Sequence, residues 1–126
     1  MRSLLIKQPW IDLILDGAKT WELRGSRTRI RGPIALIQSG SGQVVGTCEV
    51  VDVKGPLSLA ELRRTTALHC VPASSLRAGM RYKNTFAWVL SGARRSPTPV
   101  KYDHPPGAII WVKLDQSVQR RIRRQT

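Results

Sequence analysis

Residues 17–24, Gly-Ala-Lys-Thr-Trp-Glu-Leu-Arg, constrain the fold more than any other stretch, because a helical pattern stops there and a strand pattern starts. Before it, residues 10–16 are apolar and helix-like, with Trp10, Leu13 and Ile14 at the spacing of one face and Asp12 and Asp16 towards another. Gly17 supplies the left-handed residue that commonly ends a helix. Beyond it the side chains alternate. In an extended chain Trp21 and Leu23 share one face, while Thr20, Glu22 and Arg24 share the other. A strand of this kind buries two large apolar groups and presents a hydroxyl, a carboxylate and a guanidinium together. Strict alternation puts Lys19 on the apolar side, so it belongs at the rim of the core or ahead of regular pairing.

The flanking chain supplies short elements. Residues 3–7 read as a first strand, and Gln8-Pro9 breaks it before the helix, where proline suits a helix start. Trp10 suits the core; the alternative, stacking on a base, needs an exposed ring. The loop 25–32 carries Arg27, Arg29 and Arg31, which suit either charge-assisted phosphate contacts or a solvated connection. A strand over 33–38 ends at Ser39-Gly40-Ser41-Gly42, either a tight hairpin turn or a backbone concavity for an anion. Residues 43–53 form a long β-branched strand, with Gly46 marking a bulge or bend. Ser58-Leu59-Ala60-Glu61 is a capping box opening a short helix that turns Leu59 and Leu62 inward.

Residues 67–84 fit a flap over a site, with a helical turn from Ser74 to Ala78. His69 has no visible partner for base catalysis. Residues 85–90 read as a strand buried on both faces, continuing into the basic 92–95 and an extended 96–100. Asp103 and His104 are adjacent, and adjacent residues rarely face each other, so His104 is read as a turn histidine bonding the backbone. The last strand, 108–114, is a continuous apolar run. From Asp115 the composition changes to a basic segment, a frayed tail or a short helix.

Charge narrows the partner. The 126 residues carry 21 Lys and Arg against 8 Asp and Glu, a formal net charge of +13. That excess favours a polyanion, with RNA or DNA first. Cys48 and Cys70 have neither zinc-finger nor redox-pair spacing, which points to a reduced, intracellular protein. The expectation is one soluble, cytoplasmic domain with no membrane span, no secretory signal and no metal site.

The pattern Gly-x-Lys-x-x-Glu-x-Arg, following a helix opened by Gln8-Pro9-Trp10, resembles the signature of the ASCH domain, a family within the PUA-like fold. Arg31-Gly32-Pro33 entering a strand, Trp88, and the closing Pro106-Gly107-Ala108-Ile109-Ile110-Trp111 match it too. The resemblance runs to about Leu114. It implies an α+β fold, a small PUA-like β-barrel with a few short flanking helices over residues 1–114, followed by a basic C-terminal tail over 115–126.

It also implies a cleft holding Lys19, Glu22 and Arg24. Arg24 suits a phosphate or the orientation of Glu22, Glu22 a base amino group, and Lys19 a carbonyl or phosphate. The structural alternative is an ion pair of Glu22 with Arg24 or Lys19. Arg27, Arg29, Arg31, Ser39 and Ser41 complete the candidate nucleic-acid contacts. The expected function is recognition of single-stranded RNA, or of an exposed or modified base.

Some relatives implied by the resemblance are hydrolases. Amidohydrolases on acylated cytidine use a Lys, Thr and Glu set, but aligning at Lys19 puts Glu22 at the threonine position. Thr20 is nearby but one pleat step away, and Glu61 is the later glutamate available. Ribonuclease chemistry would draw on Lys19, Ser39, Ser41, Tyr82 and Tyr102, with Mg2+ as the one cofactor to consider. In either enzyme Lys19 and Glu22 are the catalytic candidates.

Overall fold

Apolar residues recurring at every second position from Val44 to Val50 build the hub of the molecule, the strand Gln43–Lys54. In the computed structural model, which describes residues 1–77 and 82–125, the chain runs β1 (Arg2–Ile6), α1 (Trp10–Leu15), β2 (Trp21–Arg24), β3 (Gly32–Gln38) and β4 (Gln43–Lys54). It continues through α2 (Leu59–Arg64), α3 (Thr66–His69), α4 (Ala73–Arg77), β5 (Phe86–Lys101), β6 (Trp111–Lys113) and α5 (Gln116–Arg123). The six strands form one mixed sheet in the order β2-β5-β4-β3-β1-β6, with β1 parallel to β3. Register shifts between Val44 and Gly46, Thr47 and Glu49, and Val50 and Asp52 interrupt the β4–β5 ladder. Such bulges bend a strand pair and increase its twist, and here they curl the sheet into a half-barrel.

The first shift lies at the expected Gly46, for a steric reason. A Cβ there would run into Leu15 of α1 and the backbone oxygen of Arg94. Inside the curl, α1 lays Ile11, Ile14 and Leu15 onto Leu4, Ile6, Leu36, Val50, Trp88 and Leu90. On the opposite face Leu5, Ile37, Val44, Val100 and Val112 pack against Val118 and Ile122 of α5. Residues 116–123 therefore form the helical alternative of the two readings, held by its apolar stripe. A third cluster joins Trp21, Leu23 and Ala87 to Leu62 and Leu76 of α2 and α4. Residues 86–90 thus bury both faces, as expected.

Three local expectations are corrected. The buried face of α1 is Ile11, Ile14 and Leu15, while Trp10 and Leu13 are partly buried. Both sets have helical spacing, and packing chose the rotation. Leu59 is exposed although its capping box forms as expected. Leu57, which precedes the Ser58 cap, packs into the cluster with Leu62 instead, as a hydrophobic staple does. The final strand pairs only over Trp111–Lys113, leaving Ile109 80% and Ile110 39% exposed.

The turn expected from Ser74 to Ala78 is the helix α4, and residues 78–81 of the expected flap lie outside the described residues. No helix among the described residues is long and apolar enough to cross a membrane.

Candidate nucleic-acid interface

Gly17, at φ +84°, turns the chain out of α1, and the Lys19 N–H then donates to the Leu13 carbonyl at 3.0 Å. Regular pairing begins two residues later, at Trp21. This places Lys19 ahead of the strand with the residue 2% exposed. Its ammonium donates to Trp21 O at 2.7 Å and His69 O at 2.6 Å, and stands 3.5 Å from Glu22 Oε1. The Trp10 ring lies 5.1 Å away. Burial pulls the Lys19 pKa below its ordinary value, and the Glu22 carboxylate opposes that shift. Two carbonyls and a carboxylate match the three N–H donors of a charged ammonium. Lys19 therefore acts on the site as a fixed charge behind Glu22, with its donors already engaged.

The other Glu22 oxygen accepts from Arg24 Nη2 at 2.8 Å and Arg24 Nε at 3.1 Å. Arg24 Nη2 also donates to Leu5 O at 2.9 Å. β2 and β1 are not neighbours in the sheet, so this side chain ties together two strands that the curl brings near each other. Below the guanidinium, at 5.6 Å, lies Trp88, stacked on Trp111 at 5.6 Å and 11° between planes. The ion-pair alternative is thus real: Lys19, Glu22 and Arg24 form one chain of charge.

That chain of charge also forms a wall. A recess of about 270 Å3 is lined by Trp10, Lys19, Glu22, Arg24 and Val71 among others. It adjoins a cavity of about 1050 Å3, at the top of the roughly 300–1,000 Å3 range of small-ligand sites. Leu5, Lys7, Arg24, Ser39, Tyr82 and Ile109 line both. The ladder pairs Ile6 with Gln38 in parallel, so Lys7 and Ser39 leave the carboxyl ends of adjacent strands together. Lys7 and Arg24 are cationic residues of the larger cavity, and no carboxylate lines it among the described residues.

The sequence-derived candidates divide. Lys19, Glu22, Arg24 and Ser39 meet at the recess, and Ser41 joins at the larger cavity, its hydroxyl donating to Gln38 O at 2.7 Å. The arginines of the 25–32 loop lie elsewhere. Arg27 donates to Gly55 O at 2.6 Å and sits 5.3 Å from the Phe86 ring, Arg31 bonds the Thr28 and Ile30 carbonyls, and exposed Arg29 lines neither cavity.

Lys7 and Ile109 were missed. The signal for Lys7 was its place at the end of the first strand. Ile109 looked like core because it stands in an apolar run.

His69 and His104 are both held by backbone carbonyls. Fully buried His69 donates from Nε2 to Leu62 O at 2.7 Å and accepts the Val71 N–H on Nδ1 at 2.9 Å. A carbonyl can only accept, which fixes the neutral tautomer. His104 Nε2 likewise donates to Ala108 O at 2.9 Å, and Nδ1 accepts from the Tyr102 hydroxyl at 2.8 Å. Burial raises the Tyr102 pKa. Glu61 closes the capping box of α2 and lines a separate surface depression with Trp21 and Lys54. Glu22, the carboxylate at the recess, has both oxygens facing cations, so the residues present do not suit a magnesium ion.

The ASCH domain family model matches residues 4–99. Among solved structures, the ASCH protein ZmASCH from Zymomonas mobilis superimposes with TM-score 0.72 at 13% identity, covering 98% of this chain and 93% of that one. Two single-substitution variants of that protein give TM-scores of 0.73 and 0.74 at 14% identity, each covering 98% of this chain and 94% and 96% of theirs. No curated protein sequence matches the chain. At such identities the likeness is one of fold.

Proposed function

The chain belongs to the ASCH domain family of the PUA-like superfamily, and from that premise we propose that it binds single-stranded RNA, taking an exposed base into the recess beside Glu22. The observation that carries this reading is the wall of the paired cavities: two cations at the larger cavity, a carboxylate held between Lys19 and Arg24, and partly exposed aromatic rings. Cations attract the phosphodiester, aromatic faces accept a stacked base, and a neutralised carboxylate accepts a base N–H. A net charge of +13 supports the same partner. The free thiols of Cys48 and Cys70 suit a reducing, cytoplasmic setting.

Binding of labelled single-stranded RNA, followed by fluorescence anisotropy, tests the reading. Tyr82 lines both cavities, so Tyr82→Ala should weaken affinity about tenfold, the loss expected for one stacked base. Unchanged affinity in that variant would remove the cavity from the account.

One observation favours a second reading, RNA cleavage. The Tyr102 hydroxyl bonded to His104, with Ser39 and Ser41 on the same wall, offers hydroxyls to a scissile phosphate. Cleavage products that vanish in Tyr102→Phe while binding persists would establish it.

A further inference from the structure

The larger cavity does not stop at the Ser41-Gly42 turn. Ser41, Gly42 and Tyr102 also line a third recess, of about 340 Å3, whose far wall is Lys101 and Arg121. Recess, cavity and third recess therefore share walls in series, from β2 across the carboxyl ends of β1 and β3 to α5. Arg121 is anchored there, its Nη2 donating to Lys101 O at 3.1 Å, which sets the guanidinium at the groove edge. The carboxylates at this end are Asp103 and Asp115, and Asp115 is engaged in capping α5 through Val118 N–H and the Ser117 hydroxyl.

Resting on the RNA-binding reading, we propose that this series is a continuous track, that Arg121 and Lys101 hold a phosphate of the strand beyond the cavity, and that the ligand is an RNA strand of several nucleotides rather than a nucleoside. A nucleoside fills one compartment and has no phosphate for α5. A strand that puts one base in the recess must carry its backbone out past Ser41 and Gly42. α5 then has two jobs: its apolar stripe covers the sheet, and its basic side extends the binding surface.

The test compares a uridine mononucleotide with uridine oligonucleotides of two to eight residues, on the full chain and on two variants that each remove one exposed cation. Arg121→Gln alters the track. Arg63→Gln, on α2, lines none of the three compartments and controls for net charge. The expected result is affinity that rises with length over about the first four residues. Arg121→Gln should weaken the octamer by about threefold to tenfold and lower its salt slope by about 0.7, the value for one phosphate of a single strand. It should leave the mononucleotide unchanged, and Arg63→Gln should leave both unchanged. Length-independent affinity, or equal effects of the two variants on the octamer, would overturn the track and leave the RNA-binding reading standing. Failure of the wild-type protein to bind any of the oligonucleotides would overturn both.

Discussion

Lys19 shows how one residue can be structural and still shape a cavity wall. Its ammonium satisfies the carbonyls of Trp21 and His69 and faces Glu22, tying the end of α3 to the start of β2. Removing one partner of a buried ion pair strands the other, so Lys19→Ala should lower the unfolding free energy by about 3–5 kcal/mol in urea titrations. A loss under 1 kcal/mol, about the value of an exposed pair, would contradict its burial. Functional tests are cleaner at exposed Lys7 than at Lys19.

His69 makes a pH prediction. Burial holds its pKa below the ordinary 6.5, so as pH falls through 6.5 the unfolded chain takes up a proton before the folded one. Stability should decline below that pH until the lower folded value is reached. His69→Gln should remove that proton's share of the slope in urea midpoints measured from pH 7 to 5, and an unaltered slope would refute the assignment. The Lys-x-x-Glu-x-Arg set was legible because charges at strand spacing beside apolar residues require an explanation. The fixed role of Lys19 was not, since its carbonyl partner at residue 69 lies 50 positions away.

The elements follow their sequence patterns where one face decides them and depart where several surfaces compete. Residues 86–90 of β5 send alternate side chains into two clusters, Trp88 and Leu90 into one and Ala87 and Val89 into the other, and the α2 capping box forms from local chemistry alone. Ile109 and Ile110 misled because an apolar run looks the same in a core and on a cavity wall; only the paired length of β6 separates the two. Gly46 was readable as a bend. Its close neighbours, the Leu15 side chain and Arg94 backbone, were not, because they come from distant segments. Gly46→Ala should therefore destabilise the fold by about 1–3 kcal/mol through overpacking, read from the thermal midpoint. A neutral or stabilising effect would mean that α1 can shift away from the sheet.

At the scale of the whole molecule, the curl of the sheet makes a site out of residues that pairing alone leaves apart. β2 and β1 stand four places apart in the strand order, yet Arg24 of one reaches Leu5 of the other. The barrel-like architecture was legible from the order of the elements and the family resemblance. The membership of the candidate site was legible only in part, because the three arginines of the 25–32 loop carry conspicuous charge but line neither cavity, whereas Lys7 gives one charge at the right strand end.

The most direct test of the central claim is to bind single-stranded RNA carrying photoactivatable uridines, irradiate, and map the crosslinked residues by mass spectrometry. The account predicts crosslinks at the cavity walls, with Tyr82 and Tyr102 foremost, that fade with rising salt and in Lys7→Gln. Crosslinks confined to Arg27, Arg29 and Arg31 or to α2, or none at concentrations where RNA is bound, would contradict it.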